Sequence, residues 1–400
     1  MKKDWTYKKL GEVCEILNGF AFKSSEYVSD GIRVIRITNV QKGYVEDSEP
    51  KFYPISTQNE LKRYLLFEND LLISLTGNVG RVGLIEKSLL PAYLNQRVGC
   101  LRIKKEEELT IPYLYYLLNS NRFENDCILS SRGAAQKNMS TVWLGDYIIP
   151  LPPLSEQSRI ASRLDAAFGE IEGLKAKAEA QLSEARTLFQ SALTEAMKPK
   201  QGWEEKKLGE EAFVFSGYAF KSGDFRKQGT YQVLRIGNIK QNCIRLSESP
   251  IFLETIDKTT LIKSLLKKGD LVVTQTGTRH KRDYGFVAMV NNENLLLNQR
   301  NACVRYNDIL SAQFFLYYSY TDFYKDSFFA NEGGTVGQGN VGLSALREMT
   351  YFVPPLSVQQ QIVSRLDALS EKVRELEEMQ KKTLAECDNL KKALLREVFE

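Results

Sequence analysis

Pro152-Pro153-Leu154-Ser155-Glu156-Gln157, with Ser162-Arg163-Leu164-Asp165 just behind it, returns as Pro354-Pro355-Leu356-Ser357-Val358-Gln359 and Ser364-Arg365-Leu366-Asp367. Two prolines in a row close whatever precedes them, because the ring has no N–H to give and restricts the residue before it. Ser155 and Ser357 follow at an N-cap position, and Ser155 has Glu156 and Gln157 behind it. No proline then occurs until Pro199 in the first stretch, and none to the end of the sequence in the second. Each junction therefore predicts a long helix.

Apolar and small residues in both stretches recur in alternating steps of three and four. The first row runs Leu164, Ala167, Ile171, Leu174, Ala178, Gln181, Ala185, Leu188, Ala192. The second runs Leu366, Leu369, Val373, Leu376, Gln380, Thr383, Cys387, Leu390, Leu394. Such a heptad seam is the pattern of a coiled coil, and small residues on one row facing larger ones on the other favour the two helices packing together over two unrelated surface helices. Connectivity then makes the pair antiparallel, with the two globular parts at opposite ends and Met1 near Glu400. A helix of roughly 43 residues spans roughly 65 Å, an upper bound on the separation of the parts.

Working outward, the whole chain proves to be two copies of one pattern. Trp5 with Lys8-Lys9-Leu10-Gly11-Glu12 returns as Trp203 with Lys206-Lys207-Leu208-Gly209-Glu210, and Gly19-Phe-Ala-Phe-Lys-Ser24 as Gly217-Tyr-Ala-Phe-Lys-Ser222. Val34-Ile-Arg36-Ile-Thr-Asn-Val40 returns as Val233-Leu-Arg235-Ile-Gly-Asn-Ile239. Asp70-Leu71 with Thr76-Gly77 returns as Asp270-Leu271 with Thr276-Gly277, and Leu94-Asn-Gln-Arg97 as Leu297-Asn-Gln-Arg300. A period near 200 residues makes each copy a domain, not a solenoid repeat. Short β-branched runs at residues 32–37, 71–75 and 98–103 read as strands, and residues 112–119 and 311–320 as helices. The expected fold is α+β: two homologous mixed α/β domains separated by two long helices forming an antiparallel coiled coil, pseudo-twofold symmetric. The boundaries are 1–153 for the first domain, 154–198 for the central helix, 199–353 for the second domain and 354–400 for the last helix.

Composition narrows the function. The net charge of +4 is only a mild pointer to nucleic acid. Residues 1–153 carry 20 Lys+Arg against 18 Asp+Glu and residues 201–353 carry 19 against 16, so the positive excess sits in the globular parts; residues 154–200 and 354–400 balance at 7 against 7 and 8 against 9. Six cysteines without a C-x-x-C pair and a single histidine leave no material for a Cys/His metal site. Reduced thiols, no export signal and no long apolar run together predict a cytoplasmic chain with no membrane partner.

Polar residues repeated at equivalent positions are the candidate DNA contacts. Lys23 and Lys221 follow an aromatic-flanked loop, within reach of phosphate. Arg36 and Arg235 lie on strands. Gln96-Arg97 and Gln299-Arg300 pair an amide with a guanidinium, the groups used on adenine and guanine edges; the alternative is that these turns only satisfy backbone groups. Thr76-Gly77-Asn78 and Thr276-Gly277-Thr278 are turns whose glycine admits close approach. Arg279-His280-Lys281-Arg282 follows the second turn only; as a docked loop it meets phosphate, otherwise it is a solvated surface. The segments best suited to bases are Ser131-Arg132-Gly-Ala-Ala-Gln136-Lys137-Asn138 and Asn331-Glu-Gly-Gly-Thr-Val-Gly-Gln338-Gly-Asn340. The second holds a literal G-x-G-x-x-G, but it follows a helix and lacks a βαβ unit, so it is not read as a dinucleotide site.

These repeated pieces, above all the doubled Pro-Pro-Leu-Ser-x-Gln junction, resemble the specificity subunits of type I restriction–modification enzymes over the whole chain. The resemblance implies that each globular part is a target-recognition domain for one half of a split, asymmetric site in double-stranded DNA, and that the helices set the spacing. It implies assembly with two methyltransferase (modification) subunits, which carry S-adenosylmethionine and methylate adenine N6, and with restriction subunits that translocate and cut. No cofactor is expected in this chain. Val358, where the first copy has Glu156, departs from the pattern and bears only on that helix start. The sequence has no Asn/Asp-Pro-Pro-Tyr, Walker loop or histidine pair, so a catalytic chain is not expected. A coiled-coil scaffold without DNA binding is the alternative; it accounts for the helices but not for the repeated Gln-Arg and Gln-x-Asn loops.

Overall fold

A computed structural model describes residues 5–131 and 138–400. In the first globular part, Leu71–Ser74 lies within a four-stranded antiparallel sheet in the order Cys14–Asn18, Val98–Ile103, Leu71–Ser74, Val82–Leu84. All four of its residues are buried. Leu71 and Ile73 enter one core with Leu101, Tyr113 and Leu114, while Leu72 enters another with Ile35, Leu94 and Cys100. Burial on both faces is why this stretch reads as an unbroken apolar run instead of alternating. Phe52–Tyr53, Ile32–Ile35 and Ala92–Leu94 form a second sheet whose last pair is parallel. Thr6–Lys9 pairs with Ile148–Leu151, tying the start of the domain to its end.

The second globular part repeats this order strand for strand. Its larger sheet runs Phe213–Ser216, Asn301–Arg305, Leu271–Thr274, Val287–Met289, and its smaller one Phe252–Leu253, Tyr231–Leu234, Leu295–Leu297. Glu204–Lys207 pairs with Thr350–Val353. The sequence repeat is thus a structural repeat of α+β character. The helices read at 112–119 and 311–320 are Ile111–Leu118 and Ile309–Tyr318. The strand read over 32–37 stops at Ile35, because Asn39 Oδ1 accepts the Arg36 N–H at 3.0 Å and turns the chain into a short 3₁₀ helix.

The repeated Asp-Leu pair is structural. Arg102 forks onto Asp70 with two hydrogen bonds of 2.7 Å, and Arg305 forks onto Asp270 at 2.7 and 2.6 Å. Asp70 also accepts the Phe67 N–H, and Asp270 the Lys267 N–H, closing the turn that feeds each strand. With the carboxylates 5% and 3% exposed, such bidentate pairing is what makes their burial tolerable.

The long helices are Leu154–Ala196 and Leu356–Phe399. Each begins one residue before its serine, so Ser155 and Ser357 lie inside the first turn and not at the cap. The glutamine does the stitching instead. Gln157 is fully buried; its amide donates to the carbonyls of Glu108 and Pro152 at 2.7 and 2.9 Å and accepts the Thr110 N–H at 2.9 Å. Gln359 donates to the Pro354 carbonyl at 2.9 Å. Further along, the aspartates of the two Ser-Arg-Leu-Asp motifs hold tyrosines of the preceding domain, Tyr116 to Asp165 and Tyr317 to Asp367, both at 2.5 Å.

The chain divides into two compact units, residues 1–179 with 380–400, and residues 180–379. Each unit is therefore one globular part with half of each long helix, where the sequence pattern suggests four consecutive segments. In the first unit Leu395 and Phe399 join the core around Leu10, Tyr113 and Ile160. Lys391 pairs with Glu172, Lys175 with Asp388 at 2.6 Å and Arg163 with Glu397 at 3.0 Å. Numbers rise on one helix as they fall on the other, so the packing is antiparallel. In the second unit Leu193 and Met197 share a core with Val363 and Leu366, and Arg186 pairs with Glu377 at 2.6 Å. Met1 lies outside the described residues; Trp5 lines a hollow together with Phe399 and Glu400.

The seam itself is displaced from the expected one. Leu174 and Leu188 are 53% and 63% exposed, whereas Leu182 is 5% exposed. The inner row of the first helix runs Leu164, Phe168, Ile171, Lys175, Ala178, Leu182, Ala185, Phe189, one residue later at every second place than expected. On the second helix the expected row holds as far as Cys387; there Leu390 turns outward and Lys391 takes its place. The physical cause is visible in the pair Lys391 and Phe168, whose ammonium and ring centroid lie 5.0 Å apart. Lysine stems can cover apolar surface while their heads pair at the edge, so a polar residue can hold a seam position that a hydrophobicity pattern assigns to leucine.

Candidate nucleic-acid interface

Four loops that are far apart in sequence meet in each copy, and the backbone bonds that join them are the same twice. Leu75 N–H donates to the Arg97 carbonyl at 3.0 Å, and Gln275 N–H to the Arg300 carbonyl at 3.0 Å. On the other side, Met139 N–H donates to the Leu75 carbonyl at 2.7 Å, and Val341 N–H to that of Gln275 at 2.9 Å. Residue 75 or 275 thus clasps the Asn-Gln-Arg turn with one hand and the end of the Gly-rich segment with the other. The aromatic-flanked loop joins from below: Gln96 N–H reaches the Phe20 carbonyl at 2.9 Å, and Gln299 N–H that of Tyr218 at 3.0 Å. Gly19 and Gly217 make that approach possible, since a Cβ on either would lie 2.2 or 2.0 Å from the carbonyl oxygen of Asn95 or Asn298.

This arrangement exposes Gln96, Arg97, Asn78 and Asn138 in the first copy and Gln299, Arg300, Thr278, Gln338 and Asn340 in the second. Thr76 bridges to Asn138 and Thr276 pairs with Asn340, so the Thr-Gly turn and the Gly-rich segment are neighbours in both. Arg132, Gln136 and Lys137 lie outside the described residues. Lys23 and Lys221 are exposed, with the Lys23 ammonium 3.3 Å from Glu26.

The Arg36 and Arg235 side chains are each tied into the fold by one hydrogen bond. Arg36 Nη2 donates to the Glu49 carbonyl at 2.7 Å and Arg235 Nη2 to that of Ser249 at 2.6 Å. Their guanidinium groups clamp the loop that follows each strand. The Arg279-His280-Lys281-Arg282 run also divides. Arg279 turns inward onto Glu332, 3.2 Å from its carboxylate, and Arg282 rests 4.7 Å above the Phe329 ring. His280, Lys281 and Arg282 are all exposed.

In the second copy the cluster is a small sheet in the order Thr276–Thr278, Gln338–Asn340, Gly333–Gly334. Behind it stand Tyr284 and Glu332, which the sequence pattern does not single out: the Tyr284 hydroxyl donates to the Glu332 carboxylate. That bond, together with Arg279, holds the Glu332 carboxyl below the ordinary carboxylate range. A lone acid amid Asn331-Glu332-Gly333-Gly334 is the available signal, an anion placed where the chain otherwise carries only small and neutral residues. Among the described residues no group of three His, Cys, Asp or Glu is placed to hold a metal ion, and no helix is long and apolar enough to cross a membrane.

Comparison with known proteins agrees with this doubled architecture. The family model of the type I restriction modification DNA specificity domain matches residues 2–183 and again residues 200–386. The EcoBI specificity subunit of Escherichia coli is 24% identical over 99% of this chain and 85% of its own length. The EcoKI specificity subunit of Escherichia coli K12 is 23% identical over 100% and 89%. The MjaVIII specificity subunit of Methanocaldococcus jannaschii is 32% identical, over 48% of this chain and 45% of that protein. Among solved structures, one chain of a type I R-M system superposes with a TM-score of 0.74 at 19% identity, covering 100% of this chain and 98% of that one. The HsdS subunit from Thermoanaerobacter tengcongensis gives 0.60 at 20% identity, covering 100% and 97%; at such identities the likeness is one of fold. With the domain model matched twice along its length, the chain belongs to the family of type I restriction–modification specificity subunits.

Proposed function

We propose that this chain is a non-catalytic subunit that reads a bipartite, asymmetric DNA site, one half through each globular part. One observation carries the reading. The same backbone bonds assemble the same four loops in both copies, while the side chains presented differ, as two readers of two different half-sites require. Gln96 with Arg97, Gln299 with Arg300, and the amides Asn138, Gln338 and Asn340 offer the donor and acceptor pairs that distinguish bases in the major groove. Exposed Lys23, Lys221 and Lys281 supply charge for phosphate, with His280 exposed beside Lys281. Gln136, Lys137 and Arg132 extend the first set on sequence grounds, with Thr76, Asn78 and Thr276 beside them.

Two methyltransferase subunits, holding S-adenosylmethionine, supply adenine methylation, and restriction subunits supply translocation and cutting, with this chain directing them. The domains that read the two half-sites are residues 1–153 and 199–353, and the helical stretches 154–198 and 354–400 set the half-site spacing.

The test is the adenine methylome of the host, read by single-molecule sequencing with the gene intact and deleted. A two-part methylated motif that disappears on deletion supports the reading and gives both half-sites. If the motif persists, and the complex recovered through this chain shows no sequence preference in DNA binding, the scaffold reading replaces it.

A further inference from the structure

Resting on the DNA-reading function, the second copy's small sheet carries a more specific assignment. In the antiparallel pair Thr276–Thr278 and Gln338–Asn340, Thr276 stands opposite Asn340, Gly277 opposite Gly339, and Thr278 opposite Gln338. Residues directly opposite in such a pair point to the same face, and successive residues to opposite faces.

The glycines define the inner face. A Cβ on Gly339 would lie 2.1 Å from the Tyr284 hydroxyl and 2.3 Å from a Glu332 carboxylate oxygen, and one on Gly277 would lie 2.6 Å from Asp283. No side chain fits there, so the ribbon lies flat against Tyr284 and Glu332. The outer face then carries two polar rungs, Thr276 with Asn340 and Thr278 with Gln338. Thr278, Gln338 and Asn340 are exposed. On the far side of Asn340 stands Gly333, where a Cβ would meet only the Asn340 carbonyl oxygen, at 3.7 Å, so no side chain at 333 covers the amide on that flank.

We infer that this ribbon enters the major groove with its outer face toward the base edges, and that Asn340 and Gln338 each read an adenine, two base-pair steps apart. The width of the major groove admits a two-stranded ribbon, and a carboxamide matches adenine N6 and N7 bidentately. The spacing matches as well. Alternate residues on a strand stand about 6.7 Å apart, and two steps of B-DNA rise about 6.8 Å. The threonine of each rung sits beside the amide, within reach of the neighbouring thymine methyl or phosphate. The first copy has the same first rung, Thr76 bridged to Asn138, so Asn138 reads the corresponding base of the other half-site.

The experiment is selection from randomised double-stranded DNA by the complex recovered through the tagged full-length chain. Wild type is compared with Asn340→Ala, Gln338→Ala and Asn138→Ala. All three side chains are exposed, and folding is checked by thermal melting. The expected result is that Asn340→Ala relaxes one adenine position by roughly tenfold or more, and Gln338→Ala another two base pairs away in the same half-site. Asn138→Ala relaxes one position in the other half only. Uniform weakening on every sequence, or relaxed positions that are adjacent or in different halves for Asn340 and Gln338, overturns the rung assignment while leaving the DNA-reading function standing. If wild type itself enriches no sequence, the function falls and the assignment with it.

Discussion

Tyr116 donates its hydroxyl hydrogen to Asp165 across 2.5 Å, and the same bond recurs between Tyr317 and Asp367. Each joins a domain helix to the long helix that leaves the domain, 49 and 50 residues further along the chain. Tyr116 is 4% exposed while Asp165 is at the surface, so removing the hydroxyl leaves a carboxylate that water can still reach. Tyr116→Phe is accordingly expected to cost about 1 kcal/mol of stability in its unit. That corresponds to a lowering of the melting midpoint by about 2–4 °C, read by scanning calorimetry; no change would mean the bond is not formed in solution.

The displaced seam gives a sharper contrast. Leu182 is 5% exposed and Leu188 is 63% exposed, although both are leucines on one helix and only the second lies on the row expected from sequence. Leu182→Ala is expected to cost about 2–5 kcal/mol, and Leu188→Ala to stay within about 0.5 kcal/mol. Urea denaturation of the two variants separates the rows, and equal losses would restore the sequence-derived seam.

This displacement also marks where sequence reading stops. The repeat, the α+β class and the two long helices were legible because each rests on local chemistry: doubled prolines, β-branched runs, and a three-and-four rhythm. Which of two flanking rows turns inward is settled by a partner about 200 residues away, through contacts such as Lys391 over Phe168, and no local rhythm encodes that. The candidate interface divides in the same way. Thr276, Gln338 and Asn340 could be named from their recurrence, but their sharing of one face depends on the pairing of two distant segments. Arg36 and Arg235 recur together with a contact inside the fold, since Glu49 and Ser249 lend carbonyl oxygens that only the folded loop brings near. Recurrence marks a residue as needed without saying for what.

Glu332 makes the second copy's ribbon sensitive to acid. Its carboxyl is held below the ordinary range by the Tyr284 hydroxyl and Arg279. A carboxylate depressed in the folded state contributes stability above its unfolded value of about 4.3, and loses it as pH falls through the folded value. Amide protection factors across Thr276–Thr278 and Gln338–Asn340 are therefore expected to stay level from neutral pH down to about 5 and to fall below about 4. Glu332→Gln, which cannot ionise, should flatten that acid limb; an unchanged profile would assign it to another group.

Charge that reaches phosphate and charge spent inside the fold should part company in salt. Lys281 is exposed in its loop, while the Arg235 guanidinium is committed to the Ser249 carbonyl at 2.6 Å. Removing one lysine–phosphate pair lowers the slope of log affinity against log salt by about 0.9. Lys281→Ala is expected to weaken binding alike on all sequences and to reduce that slope by about 0.9. Arg235→Lys keeps the charge but loses the planar fork, so it should lower stability by about 1 kcal/mol with the slope unchanged. Titrations of the complex on one DNA site at several salt concentrations decide it. An unchanged slope for Lys281→Ala would place the exposed lysine away from the DNA, and an unchanged stability for Arg235→Lys would mean that the clamp on Ser249 is not formed in solution.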